Sequence, residues 1–210
     1  MNFDDMDFDA EVRRLIEVGA ISQPDRIHIA IDDARGILVR GLIHFIGPSA
    51  QWLPEYDKVA DWLNDNQGMG LFCYGSCGRG KSVLTSMVIP TILHYWANKI
   101  VYCYTAEAMA RNLDKIKSYP LVCIDDIGVE GVANIYGNKT YALPAIVDEA
   151  ERKGHLLILS TNLTVDEIGP KYGERTMDRL RAICKPVMFA GDSLRGKGIL
   201  KPTDGLSGAR

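Results

Sequence analysis

Apolar positions along the chain follow two different periods. Up to residue 68 the spacing is helical. Val12, Leu15 and Ile16 share one face, with Gly19 as a C-cap. Ile27, Ile31, Ala34, Leu38, Leu42 and Phe45 predict a longer helix that begins after Pro24 and Asp25 and ends near Gly47 and Pro48, with Gly36 and Gly41 weakening it. Tyr56, Val59, Trp62 and Leu63 predict a third helix, closed by the turn-forming NDNQG at 64–68. From residue 69 short apolar runs at 71–74, 100–104, 121–124, 156–160 and 187–190 alternate with helical stretches at 81–96, 107–117, 143–153 and 176–184. Buried-type strands alternating with helices predict a parallel α/β sheet. Pro90 removes a donor and crowds the carbonyl of Ser86, so a kink or break is expected there.

A chain of 210 residues holds one full domain with a small appendage, and its 47% hydrophobic and 24% charged composition is that of a globular protein. The longest strictly apolar run, 100–104, is far too short for a membrane span. The first eleven residues carry five acids and no base, the reverse of a signal peptide, which predicts a cytoplasmic location. There the five cysteines are expected as reduced thiols, and no Cys or His cluster has the spacing of a structural metal site. The net charge of -3 hides an asymmetry: residues 1–67 hold 6 bases and 13 acids, whereas residues 170–210 hold 9 and 4. The basic end is either a partner or nucleic-acid surface or a solvated tail.

Directly after the first predicted strand stands GSCGRGKS, residues 75–82, which fits the phosphate-binding pattern G-x-x-x-x-G-K-[ST]. Gly75, Gly78 and Gly80 permit backbone conformations that let successive N–H groups wrap a phosphate chain. Lys81 supplies a point charge for the β and γ phosphates and Ser82 a hydroxyl for Mg²⁺. The stretch Gly75, Ser76, Cys77, Gly78, Arg79, Gly80, Lys81, Ser82 and Val83 is the expected binding site of ATP. The run LVCIDDIG at 121–128 puts Asp125 at the end of a buried strand as the second Mg²⁺ partner, and Asp126 beside it to orient or deprotonate a water. LSTNL at 159–163 brings Asn162 to the same edge, either as a probe of the γ-phosphate or as an ordinary turn residue. In YGERTMDRLR, residues 172–181, Arg175 and Arg179 point away from the apolar face of a helix; they are either trans-acting charges for a neighbouring subunit's nucleotide or salt-bridged surface residues.

Taken in order, GSCGRGKS, CIDDIG, LSTNL, YGERTMDRLR and GDSLR resemble the AAA+ ATPases of the bacterial replicative helicase-loader family, DnaC type, and its sister group of IstB-type transposition helpers. The resemblance covers roughly residues 56–195. It implies a P-loop NTPase of the additional-strand class: a three-layer sandwich whose five-stranded parallel sheet has the order 5-1-4-3-2. It also implies ATP-dependent self-association through an arginine finger, single-stranded DNA binding, and a replicative hexameric helicase as partner. By motif match Arg179 is the finger, with Arg175 its rival, and Arg195 is the sensor-2-like arginine. Asp126 stands where many AAA+ proteins have Glu, as is usual in this family, and its shorter arm implies slow hydrolysis. The 15 residues after Arg195 are too few for a helical lid.

The expected organisation is an acidic helical region at 1–55 that docks a partner, an ATPase domain at 56–200 and a flexible tail at 201–210. Tyr136, Lys139 and Tyr141, after Asp126, are candidates for strand contacts, and the stretch 52–56 and the Arg195 region for the adenine pocket. Three other readings share the phosphate site: an IstB-like helper acting on duplex DNA, a P-loop small-molecule kinase, and an idle nucleotide-binding scaffold.

Overall fold

The computed structural model describes residues 6–21, 24–135 and 137–195. Its elements run α1 (Phe8–Glu17), α2 (Ala34–Ile46), α3 (Pro54–Asn64), β1 (Gly70–Gly75), α4 (Lys81–Val83), a π turn (Leu84–Val88), α5 (Ile89–Ala97) and β2 (Tyr102–Thr105). They continue through 3₁₀ turns at Ala106–Ala108 and Ala110–Asn112 to α6 (Leu113–Ser118), β3 (Leu121–Ile127), β4 (Ala133–Ile135) and β5 (Asn138–Thr140). The last are α7 (Leu143–Lys153), β6 (Leu156–Thr161), α8 (Val165–Tyr172), α9 (Glu174–Ile183) and β7 (Cys184–Phe189).

Five strands form one parallel sheet in the order β2-β3-β6-β1-β7, which is 5-1-4-3-2 when only these five are counted. Because successive side chains on a strand point to opposite faces, the sheet carries two cores. Leu71, Cys73, Leu121, Cys123, Ile158 and Val187 pack with α2, α3 and α5, while Phe72, Val122, Ile124, Leu157 and Leu159 pack with α6, α7, α8 and α9. The result is the expected three-layer sandwich, with Ile29 to Leu53 sharing the first core with β1. Gly41, which weakens α2 by propensity, allows close approach: a Cβ there would sit 2.6 Å from Val88 Cγ1. Among the described residues no helix is long and apolar enough to cross a membrane.

Three expectations need correction, and the one at Pro90 holds. The stretch from Ile27 to Ile31 is extended, and α2 begins only at Ala34, where the Asp33 side chain accepts from Gly36 N. Isoleucines at 27, 29 and 31 obey a period of two as well as of four, and the tertiary partner decides: Ile31 N donates to Leu63 O and Asn66 N to Ile29 O. The 81–96 helix does break before Pro90, through the π turn in which Ile89 N donates to Leu84 O. The 107–117 helix dissolves into two 3₁₀ turns and the short α6. The loop after Asp126 contains the antiparallel hairpin β4–β5, turned at Gly137 with φ 86°. Tyr136 lies outside the described residues, as do 196–210 with the expected tail.

Asn66 is the clasp of the extended segment. It is 0% exposed, its Oδ1 accepts from Ile29 N (2.8 Å) and Gly68 N (3.2 Å), and its Nδ2 donates to Ile27 O (2.9 Å) and Met69 O (3.0 Å). Asn66→Ala strands Ile29 N, Gly68 N and Ile27 O, while Met69 O keeps its bond from Trp62 Nε1, and at about 1 kcal/mol for each the expected loss is ~2–3 kcal/mol. Urea unfolding checks this; a loss under ~1 kcal/mol would mean that the segment is held by its isoleucines alone.

Candidate active site

The sheet order brings the C-terminal ends of β1, β3 and β6 side by side, so the three sequence elements that carry chemistry meet at one edge. Gly75, Gly78 and Gly80 have φ of 107°, 74° and 84°, a region that side chains disfavour and the loop's curl requires. Lys81 folds back under this loop. It is 5% exposed, and its Nζ donates to Gly75 O (2.9 Å), Ser76 O (2.7 Å) and Asn162 Oδ1 (2.8 Å). Burial pushes the ammonium's pKa down, and the nearby Cys77, Cys73, Asp126 and Asp125 oppose that shift.

Asn162 is the joint of the site. One end of its amide accepts from Lys81 and the other donates to Asp126 Oδ1 at 2.8 Å, joining the start of α4 to the ends of β3 and β6 through side chains. Asp126 has φ 59°, the left-handed region. Its N–H donates to Ser160 Oγ at 3.0 Å, and the same hydroxyl donates to Asp125 Oδ1. The run LSTNL places Ser160 at this edge together with Asn162, but nothing in the sequence gives it a role.

Further residues emerge only in three dimensions. Arg79 turns out of the phosphate loop into a buried ion pair, with Nε and Nη2 donating to Glu55 Oε1 at 3.0 and 2.7 Å. Glu55 lies on the stripe of α3 that carries Val59 and Trp62, and a charge on an apolar stripe is the one hint the sequence offered. Tyr56 OH donates to Arg79 O at 3.4 Å, and burial pushes the phenol's pKa up. Past β7 the chain crosses the loop: Leu194 N donates to Gly78 O at 2.9 Å, and a Cβ on Gly78 would strike Ser193. The expected neighbour Arg195 ends this crossing segment. On the other side Glu130, 7% exposed, accepts from Gly128 N (2.8 Å) and from Tyr172 OH. Lys171 Nζ donates to Gly128 O and lies 5.1 Å from the Tyr141 ring centre. Tyr141 is half-buried against Tyr172 and Lys171, and Lys139 is exposed.

The two arginines fare differently. Arg179 pairs with Asp148 and, through Nε at 2.8 Å, with Glu151, both on α7 of the same chain. Arg175 is exposed one turn earlier and, among the described residues, makes no ion pair. Trp52, in the stretch considered for the adenine, is tied to α3 by Nε1 donating to Asp57 Oδ1 at 3.2 Å and lies under Arg35.

A nucleoside triphosphate with Mg²⁺ fits what is present. The positive φ of Gly75, Gly78 and Gly80 curls the loop so that its backbone N–H groups can line a site for an anion. Ser82 is exposed beside them and Asp125 is half-buried. Among the described residues no group of three His, Cys, Asp or Glu could hold a metal alone. One hydroxyl and one carboxylate suit Mg²⁺, which shares its shell with phosphate oxygens and water.

Comparison with known proteins gives the fold. The crystal structure of the DnaI superposes with a TM-score of 0.51 at 19% identity, covering 78% of this chain and 86% of that one. The DnaC helicase loader superposes with a TM-score of 0.50 at 15% identity, covering 80% of this chain and 94% of that one. A family model described as Nephrocystin 3, N-terminal, matches residues 48–118, which include the phosphate loop. No curated protein matches the sequence. The chain therefore has the α/β fold of these loader structures.

Proposed function

We propose, from a phosphate-loop fold shared with solved helicase loaders, that this chain is an ATP-hydrolysing, cytoplasmic DNA replication factor. In this reading it is a helicase loader that assembles on single-stranded DNA and delivers a replicative hexameric helicase. The observation that carries the reading is the continuous chain from Lys81 through Asn162 to Asp126, which ties the phosphate loop to a carboxylate placed for water activation.

ATP bound with Mg²⁺ would supply the scissile phosphoanhydride and the cation that offsets its charge. The chain's own residues do the rest. The curled amides of Cys77 to Gly80 and the Lys81 ammonium hold the phosphates. Ser82 Oγ and Asp125 hold the metal ion, and Asp126 orients and accepts a proton from the attacking water. Asn162 touches both Lys81 and Asp126, so it is placed to report whether a γ-phosphate lies between them. The short Asp126 arm and its bond to Asn162 favour slow turnover until a partner or DNA arrives.

Arg175 is the better trans-acting finger, because Arg179 is held by two acids of its own chain. Arg175→Ala is expected to cut hydrolysis at least tenfold with stability unchanged, whereas Arg179→Ala lowers the melting temperature by breaking the α7–α9 pair; equal hydrolysis by the Arg175 variant at high protein concentration would remove the finger role. The acidic N-terminal region, in which α1 buries no residue, is the proposed helicase-docking part.

The reading as a whole is tested with fluorescent single-stranded and duplex oligonucleotides, with ATP, ADP or neither, while particle size is followed. ATP-dependent assembly and tighter single-strand binding that weakens with salt are expected. Preference for duplex would move the assignment to a transposition helper, and no response of size or DNA affinity to ATP would end the loader reading.

A further inference from the structure

On a regular strand Asp125 and Asp126 would point to opposite faces of the sheet, and only one of them could serve the phosphate loop. The pairing of β3 with β6 shows how this is avoided. Ile124 lies opposite Leu159 and Ile127 opposite Thr161, so two residues of β3, Asp125 and Asp126, face the single residue Ser160. This is a bulge of one extra residue, a feature that re-aims side chains beside reaction centres. Its effect appears in the packing: Val122, Ile124 and Ile127 all belong to the second core, a step of two and then of three. The extra step puts both aspartates on the other side, where both lie within electrostatic reach of Lys81.

Ser160 is 1% exposed and sits in the mouth of the bulge. Its one hydroxyl hydrogen goes to Asp125 Oδ1, so its oxygen is left to accept the Asp126 N–H at 3.0 Å. The ladder bond that the bulge removes is thus replaced by a side chain, and the same side chain fixes one oxygen of Asp125, leaving the other for a ligand. Alanine would fill the space and keep the strand while losing both bonds.

We propose that Ser160 is a positioning residue that holds the Asp125–Asp126 bulge, keeping one carboxylate aimed at the metal and the other at the attacking water. The inference rests on the ATP-hydrolysing reading above and extends it to a buried residue.

The test compares wild type, Ser160→Ala and Ser160→Thr, with Asp125→Asn as reference. Three quantities are measured: affinity for a fluorescent ATP analogue in EDTA, affinity for Mn²⁺ in the presence of a non-hydrolysable analogue, and steady-state hydrolysis. For Ser160→Ala the metal-free nucleotide affinity is expected to stay within about twofold, since Lys81 and the loop are untouched. Mn²⁺ affinity and kcat each fall about tenfold or more, the usual effect of removing a group that orients a metal ligand, while KM holds. The threonine variant, which keeps the hydroxyl, restores both. Unchanged Mn²⁺ affinity and kcat in Ser160→Ala would overturn the proposal, as would a loss that follows melting temperature alone. If wild type binds nucleotide without turning it over, the Mn²⁺ comparison still decides. If wild type binds no nucleotide, the underlying reading and this one fall together, whereas normal wild-type turnover with an indifferent Ser160→Ala removes this one only.

Discussion

Lys81→Ala is expected to abolish nucleotide binding at concentrations where wild type is saturated. The Lys81 ammonium holds Gly75 O, Ser76 O and Asn162 Oδ1 in place under the loop. Charge-assisted hydrogen bonds contribute ~1.5–3 kcal/mol each, so losing one or two to phosphate corresponds to roughly a hundredfold weaker binding or more. The loop also loses the donor that gathers two of its carbonyls, which loosens the cradle before any ligand arrives. Titration with a fluorescent nucleotide, alongside a melting curve to confirm folding, checks the result. A dissociation constant within about threefold of wild type would mean that the phosphates bind elsewhere.

Asp126→Asn is expected to separate binding from chemistry. Asparagine tolerates the left-handed backbone at φ 59° at least as well as aspartate, so the bulge should survive. Its amide oxygen can still accept from Asn162 Nδ2, which preserves the link to Lys81. What disappears is the charge and the basicity. Nucleotide affinity should remain within about twofold, while hydrolysis should fall by the ~10²–10⁴ that a positioned general base contributes. Phosphate release under single-turnover conditions is the direct measurement; a loss under about fivefold would show that another group prepares the water. The same protein should accumulate in the ATP-bound assembled state if assembly follows nucleotide occupancy.

The parts of this site that were legible in the sequence share a physical cause. A loop that cradles phosphate needs glycines and a lysine at fixed local spacing, and an apolar strand ending in Asp125 declares itself within six residues. The alternation of strands and helices was legible for the same reason, since burial on both faces leaves continuous apolar runs such as 121–124. Long-range bonds decided what was not legible. Asn66 holds Ile27 and Ile29 extended from nearly forty positions away, overriding a helical spacing that was only apparent. The place of Arg79 in the loop does not reveal that its guanidinium is committed to Glu55. The bulge at Asp125 and Asp126 leaves no local trace, because its partner Ser160 lies on another strand and reads as one more small polar residue at a strand end. Arg175 and Arg179 were indistinguishable by helical phase, and only the acids of α7 separate them.

The position of β1 in the sheet sets an order of events in biosynthesis. This strand is made before its two neighbours, β6 and β7, and its phosphate loop is crossed by the segment that ends at Arg195. A nascent chain therefore emerges with residues 75–82 exposed and without the strands that shape them. Contacts of such high sequence separation form late and slowly. The loop therefore takes its shape only once β6, β7 and the segment up to Arg195 have left the ribosome, and any step that needs a formed cradle waits for them.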